Sequence, residues 1–338
     1  PMTPAIFGFS GPTLTDDERD FFRDADPAGY ILFARNVESR AQMRALTDDL
    51  RAIHGRDRLL ISIDQEGGRV ARMRPPEWHR SPAGEAFARL WNVAPVSAIE
   101  AARVNAEALG LDLAEAGITV DYWPVLDVRR PGTHDVIGDR ALGNEPMQVA
   151  ALGRAVLDGL APAGIAGCIK HMPGHGRARA DSHKELPIIG ASDEELEIDM
   201  EPFRTLAHAP LGMTAHLRFT AWDAENPATQ SEFVVQEIIR KRIGFAGLSL
   251  SDDIYMHALD GDIPERGVKA LAAGCDVVLN CHGGVADMAE VARALPTISG
   301  DAASRLDHAL AATGDGAGDH AALVAKRDAL LELARDPA

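Results

Sequence analysis

The sequence contains little cysteine, and its cysteines form no recognisable framework. Only three of the 338 residues are cysteines: Cys168, Cys275 and Cys281. An odd number without regular spacing argues against a disulfide scaffold and favours a reducing compartment. A chain of this length buries enough apolar surface to fold without disulfides. We therefore predict three small buried thiols.

The chain also lacks a long apolar run and a block of basic residues. No stretch reaches the ~18 apolar residues that a membrane span needs, and the first residues lack the basic and apolar regions of a signal peptide. The formal net charge is −17, whereas nucleic-acid binding needs a basic surface. We therefore expect a cytoplasmic protein with no membrane and no nucleic-acid partner.

Eight short apolar segments alternate with longer stretches that have helical periodicity. The apolar segments are residues 5–11, 29–36, 58–68, 118–128, 164–174, 211–217, 245–254 and 275–283. The helical stretches include residues 39–53, 98–117, 193–207, 231–244, 302–316 and 321–336. Continuous apolar strands between helices indicate a parallel sheet covered on both faces. Eight such units predict a single-domain (β/α)₈ barrel over residues 1–338, with a doubly wound open sheet as the alternative.

Polar residues follow the apolar part of six of these segments. They are Asp64, Glu66, Asp127, Lys170, His171, His216, Asp252, Asp253 and Asn280. In a barrel, the carboxyl ends of all strands meet at one rim, where active sites are built. The pattern therefore predicts one shared site at that rim.

The segment "KHMPGHGRARADSHKELP" (residues 170–187) follows the fifth apolar run and is rich in functional side chains. Lys170 and His171 end the predicted strand, and the following residues predict a mobile loop. Asp181 lies two residues before His183, and a carboxylate beside an imidazole fixes its tautomer and raises its basicity. This pair is a candidate acid/base dyad; the alternative is a surface loop with incidental charges.

The histidines of this segment could also bind a metal. His171, His175, His183 and Asp181 carry suitable donor atoms, but their spacing matches no compact zinc pattern. The charge of Lys170 would also oppose a cation. We therefore expect no metal and no other cofactor.

Two further segments carry candidate site residues. In "LSLSDDIYM", Asp252 and Asp253 follow a strand; they would provide a nucleophile or stabilise charge, or else cap the next helix. In "SIDQEGGRVARMR", Asp64 could bind sugar hydroxyls, and Arg72 could bind hydroxyls or a carboxylate. Arg140 in "VIGDRALG" could do the same as Arg72. The alternative is that these residues are solvent-exposed charges without a function.

These three segments together resemble the signatures of glycoside hydrolase family 3. The resemblance covers roughly residues 5–285 and includes "ILFARN", "PVLDV", "IGDRALGN", "DMEPFR", "MTAH" and "AAGCDVVLNC". The length and the Asp-Ser-His loop resemble the bacterial cytoplasmic β-N-acetylglucosaminidases of peptidoglycan recycling. Met172 and the pair Ala141–Leu142 depart from the family's usual residues beside expected binding residues.

The resemblance implies a role for each matching residue. It implies Asp252 as the nucleophile, His183 as the acid/base and Asp181 as the residue that tunes it. The residues implied to bind the sugar are Asp64, Arg72, Arg140, Lys170 and His171. The implied reaction is retaining removal of terminal β-linked GlcNAc from GlcNAc-1,6-anhydro-MurNAc, with or without peptide, through a covalent glycosyl-aspartate.

Several alternatives remain open at this point. The substrate's acetamido group could act as the nucleophile, with Asp252 and Asp253 as stabiliser and acid. The chain could instead be a metal-dependent barrel hydrolase that uses the histidines, a β-glycosidase of broader specificity or an inactive sugar-binding barrel. Phosphate could also replace water as the acceptor, since a histidine base would not repel it as a carboxylate would. The expected partner is a small carbohydrate or muropeptide, bound by a monomer.

Overall fold

In the computed structural model, which describes residues 1–311 and 314–335, eight parallel strands close into a barrel. The strands are β1 (Thr3–Phe7), β2 (Pro27–Leu32), β3 (Leu60–Ile63), β4 (Val120–Asp121), β5 (Ala166–Met172), β6 (Ile188–Ile189), β7 (Leu211–Thr214), β8 (Arg218–Phe219), β9 (Leu248–Asp253) and β10 (Val277–Asn280). All but β6 and β8 belong to the barrel, and β1 closes it by pairing with both β2 and β10. The predicted barrel is confirmed, and the open-sheet alternative is wrong.

Helices surround the barrel. They are α1 (Asp16–Ala25), α2 (Arg40–His54), α3 (Gly84–Val93), α4 (Pro95–Glu115), α5 (Pro146–Leu160), α6 (Asp193–Thr205), α7 (Ile263–Ala273), α8 (Val285–Ala294), α9 (Gly300–Ala311) and α10 (His320–Leu331), with a π-helical segment at Phe233–Ile243. None of the described residues forms a helix that combines the length and the apolar character needed to cross a bilayer.

The helix boundaries follow local sequence signals. Ser39 caps α2 by accepting the N–H of Gln42, and the helix ends at Gly55, whose φ of 59° suits glycine. The predicted helix at residues 302–316 is described to Ala311; residues 312 and 313 lie outside the described residues, and residues 314–316 are not helical. Position 336, the last of the final predicted helix, also lies outside them.

One apolar cluster draws side chains from all eight barrel strands and fills the interior. It includes Ile6, Ile31, Leu60, Val120, Cys168, Leu211, Leu250 and Val277. Cys168, Cys275 and Cys281 are all buried and unbridged, as the sequence predicts. The packed interior closes the barrel below its rim and leaves the rim free for a site.

A feature that the sequence did not predict lies after β5 and β7. The two-residue strands β6 and β8 pair in parallel, with Ile188 beside Arg218 and Ile189 beside Phe219. This small sheet fixes the end of the long loop that follows β5.

Candidate active site

The carboxyl ends of the strands surround a cavity of about 280 Å³. Seven of the eight predicted site residues line it: Asp64, Arg72, Arg140, Lys170, His171, His183 and Asp252. Asp181 is not part of the lining and contacts His183 instead. The structure therefore brings together side chains that are far apart in the sequence, as expected for a barrel rim.

Lys170 is the centre of a buried ion cluster. Its Nζ lies 2.8 Å from Glu66 Oε1 and 3.1 Å from Asp64 Oδ1. Arg140 binds both carboxylate oxygens of Glu66, at 2.7 and 2.9 Å. Burial alone would lower the pKa of Lys170, but Glu66 and Asp64 outweigh it and raise the pKa to about 12. The cluster keeps a charged ammonium group at the cavity wall, where it can donate to a ligand oxygen.

Asp64 completes this wall of the cavity. Its side chain is partly exposed, and its second oxygen lies 3.8 Å from the guanidinium of Arg72. Arg72 also lies over the ring of Phe33, at 5.4 Å from the centroid. A carboxylate beside two cations suits a ligand rich in hydroxyl groups, because it accepts hydrogen bonds while the cations donate them.

Asp127 fixes the positions of His171 and His175. Its Oδ2 lies 2.8 Å from His171 Nδ1, so only Nε2 of His171 remains for the cavity. Its Oδ1 accepts the backbone N–H groups of His171 and His175, at 3.2 and 2.7 Å. His175 is buried behind His171, and burial lowers the pKa of its imidazole to about 4. His175 is therefore a neutral supporting residue.

Asp252 lies half-buried at the end of β9 and faces the cavity. Burial alone would raise the pKa of Asp252, but the imidazoles of His216 and His171 and the N–H of Asp253, 2.8 Å away, together lower it. His216 is itself held by Thr229 and by the carbonyl oxygen of Asp253, at 2.8 and 2.9 Å. Asp252 is thus an ionised carboxylate, which can act as a nucleophile or stabilise positive charge.

Asp253 has a different environment from its neighbour. One of its oxygens accepts the N–H groups of Tyr255 and Cys281, at 3.1 and 3.2 Å. Burial raises the pKa of Asp253. The helix-cap interpretation of these aspartates is wrong, because α7 begins at Ile263 and is capped by Asp262. Asp253 holds the turn after β9.

The loop after β5 carries His183 to the cavity. His183 Nδ1 and the His183 backbone N–H both lie 2.9 Å from Asp181 Oδ1. The His183 side chain is 61% exposed, which leaves Nε2 accessible. Burial would raise the pKa of Asp181, but these contacts with His183 outweigh it and lower the pKa. The predicted contact between Asp181 and His183 is present, and the acid/base role of the pair stays a prediction.

Other contacts anchor this loop at several points. Thr133 Oγ1 donates to the carbonyl of Gly176 (2.6 Å), and Arg177 binds Asp199 on α6. The N–H of His257 donates to the carbonyl of His183 (3.2 Å). The mobility that the sequence suggests for this loop stays a prediction.

The sequence pattern places Glu66, Asp127 and His216 at the rim but predicts no individual role for them. The available signal was their position after a strand, but their partners depend on how the strands align. The departures from the family's residues do not reach the cavity. Met172 and Leu142 are fully buried in apolar clusters, and Ala141 is 3% exposed.

Comparisons with known proteins agree with this geometry. The model of the glycosyl hydrolase family 3 N-terminal domain matches residues 8–311. The beta-hexosaminidase of Aromatoleum aromaticum is 40% identical over 288 residues, covering 83% of this chain and 80% of that protein. The crystal structure of NagZ from Neisseria gonorrhoeae with N-trifluoroacetyl-D-glucosamine superposes with a TM-score of 0.88 at 32% identity and covers 99% of both chains. The same NagZ in complex with a zinc ion superposes with a TM-score of 0.87 at 31% identity and covers 99% of both chains.

The fold, the site and these matches define the class: the chain belongs to glycosyl hydrolase family 3. Within that family it is a β-hexosaminidase-type glycosidase, similar to NagZ.

Proposed function

We propose that the protein is an exo-acting β-N-acetylglucosaminidase that removes terminal β-linked GlcNAc from peptidoglycan fragments with retention of configuration. The observation that carries the mechanism is that Asp252 and the His183–Asp181 pair approach one cavity. A retaining glycosidase needs a carboxylate at the anomeric carbon and an acid at the leaving oxygen. Asp252 supplies the first group and His183 the second.

The first step forms a covalent glycosyl-enzyme. Lys170, Asp64 and Arg72 bind the sugar hydroxyls, while an oxygen of Asp252 attacks the anomeric carbon. The bond to the leaving oxygen breaks, and His183 in its imidazolium form gives that oxygen the Nε2 proton. The Nδ1–H of His183 keeps donating its hydrogen bond to the ionised Asp181, which stabilises the imidazolium.

The second step releases the sugar. His183 Nε2, now unprotonated, takes a proton from water, and the water oxygen attacks the anomeric carbon. The bond to Asp252 breaks and its carboxylate is restored. Two displacements at one carbon retain the β configuration.

The peptidoglycan substrate is the finer part of the proposal. A GlcNAc derivative bound to a related NagZ supports GlcNAc as the sugar. GlcNAc-1,6-anhydro-MurNAc, with or without peptide, is proposed because the Asp-Ser-His loop resembles that of the cytoplasmic peptidoglycan-recycling enzymes. A cytoplasmic monomer is proposed on the same basis. Comparing kcat/KM for this disaccharide with that for chitobiose tests the preference, which equal values would contradict.

The mechanism is tested by the hydrolysis of two β-GlcNAc glycosides, one with an activated aryl leaving group and one with a poor one. Asp252→Ala should lose activity on both substrates. His183→Ala should lose roughly 10²–10⁴-fold on the poor leaving group and much less on the activated one, because only the former needs protonation. If His183→Ala lost the same factor of activity on both substrates, the assignment of His183 as the acid would be contradicted.

The metal-dependent alternative does not fit the cavity. Both ring nitrogens of His216 are bonded to protein groups, which leaves no nitrogen of this residue for a metal ion. Among the described residues, no three histidine, cysteine or carboxylate ligand atoms converge in this cavity. Hydrolysis should therefore continue after treatment with EDTA; its loss would favour the metal-dependent mechanism.

A further inference from the structure

Three potential metal ligands converge outside the catalytic cavity. His79 lies in the segment between β3 and α3, Asp112 lies on α4, and His320 is the first residue of α10. Asp112 Oδ2 lies 3.2 Å from His79 Nδ1 and 3.1 Å from His320 Nε2. Within residues 1–311 and 314–335, this is the group in which three such donor atoms all lie within 4.8 Å of one another.

The orientation of His79 points to a missing partner. Its Nδ1 is buried and makes no hydrogen bond with any described residue, although Asp112 Oδ2 is only 3.2 Å away. The other ring nitrogen, Nε2, lies 3.4 Å from the hydroxyl of Ser81. A hydrogen bond from Nε2–H to Ser81 leaves a lone pair on Nδ1, and such an outer hydrogen bond is typical of metal-binding histidines.

The distances suit a tetrahedral ion. Two donors that each bind zinc at about 2.0–2.1 Å in a tetrahedral site lie roughly 3.3 Å apart. The contacts of Asp112 Oδ2 with the two imidazoles are close to this value. Two imidazoles and one carboxylate are a donor set that zinc accepts, and a water molecule can take the fourth position.

The electrostatics of the group are compatible with a cation. Asp112 supplies the acidic group, and its Oδ2 faces the imidazoles of His79 and His320 at 3.2 and 3.1 Å. Arg40 approaches the other oxygen, Oδ1, at 3.7 Å and also binds Glu115 at 3.0 Å. Oδ2 therefore remains available, and Glu115 offsets the charge of Arg40.

We propose that His79, Asp112 and His320 form a structural zinc site that fastens the start of α10 to the barrel. The ion would link the segment after β3, helix α4 and helix α10. None of the three residues lines the catalytic cavity. The site is thus independent of the proposed hydrolysis.

Zinc binding by the full chain tests the proposal. Equilibrium dialysis against buffered ZnCl₂ is performed in a His183→Ala background, which removes one potential ligand of the catalytic cavity. We expect one bound zinc per chain. Adding His320→Gln should weaken zinc binding by at least roughly 10–100-fold. Removing a residue that merely hydrogen-bonds to a metal ligand already lowers metal affinity by this factor, and His320 is itself a proposed ligand. His79→Gln should weaken zinc binding to a similar extent as His320→Gln.

The control is His308→Gln, which changes an exposed histidine on α9 and should leave the zinc content unchanged. Folding of the test variant is protected, because Asp319 caps α10 by accepting the N–H of Ala322. Zinc should raise the Tm of the background and control variants but not that of His320→Gln. Equal zinc content and equal Tm shifts in His320→Gln and His308→Gln would overturn the proposal.

Discussion

At the scale of single residues, Asp252 and Asp253 show how surroundings separate two identical side chains. Asp252 faces the cavity and has nearby imidazoles that lower its pKa. Burial raises the pKa of Asp253, and one of its two oxygens, Oδ1, accepts hydrogen bonds from two backbone N–H groups. A nucleophile must be ionised and accessible, and the lowered pKa of Asp252 favours it over Asp253. The sequence alone shows only two adjacent aspartates.

His175 makes a prediction about pH. Burial lowers its pKa to about 4 in the folded protein, whereas an unfolded chain titrates histidine near pH 6.5. The unfolded chain therefore binds more protons between these values, and the free energy of unfolding falls as the pH falls through that window. We expect the wild type to lose roughly 2 kcal/mol more than His175→Gln between pH 7 and pH 5.

Urea unfolding at the two pH values provides the measurement. His308→Gln, which alters an exposed histidine, should follow the wild type. If His175→Gln lost as much stability as the wild type on acidification, His175 would not be the buried neutral residue described above.

At the scale of elements, the strand ends were predictable and their partnerships were not. The apolar runs before Asp64, Lys170 and Asp252 mark strands, so the polar residues after them must lie at the rim. The pairing of Glu66 with Arg140 joins residues 74 positions apart and depends on how two distant loops meet. The sequence pattern predicts no helix at α1, α3, α5, α7 or α8, although Thr15 and Asp262 cap α1 and α7.

The ion cluster between these strand ends makes a prediction about stability. Glu66→Gln keeps the size of the side chain but leaves the buried charges of Lys170 and Arg140 with less compensation. Breaking a buried ion pair in this way should lower the free energy of unfolding by roughly 3 kcal/mol. Glu237→Gln is the control: it removes an exposed pair with Lys241 (2.7 Å) and should cost less than about 1 kcal/mol. Equal losses in urea unfolding would show that burial of the cluster does not matter.

The anchoring of the loop after β5 makes a second prediction at this scale. Asp199 on α6 binds Arg130 at 2.9 Å and also binds Arg177 of the loop. Asp199→Asn should weaken both contacts and open the loop more often. Trypsin should then cleave after Arg177 or Arg179 about tenfold faster, which corresponds to about 1.4 kcal/mol lost from the closed loop.

The matched control for this loop experiment lies on the same helix. Glu197 is partly exposed on α6 and binds Arg204 and Arg242, which are outside the loop. Glu197→Gln should leave the cleavage rate within the loop unchanged. Cleavage at the wild-type rate in Asp199→Asn would show that Asp199 does not hold the loop closed.

At the scale of the whole molecule, the closed barrel explains why a single loop can complete the site. The strands bring Asp64, Lys170 and Asp252 to one cavity, and the loop after β5 adds His183. The barrel was predictable because its pattern repeats eight times. Contacts that occur once, such as the β6–β8 sheet or the His79–Asp112–His320 group, leave no repeated signal in the sequence.

The proposed mechanism passes through a covalent glycosyl-enzyme, and trapping this intermediate is its most direct test. The wild-type protein is incubated with a fluorinated β-GlcNAc derivative that carries a good leaving group, and its mass and proteolytic peptides are then measured. The covalent mechanism predicts one added sugar per chain, located on Asp252 and absent in Asp252→Ala. A sugar located on Asp253, or turnover of the derivative with no adduct and release of an acetamido-derived intermediate, would contradict the covalent mechanism.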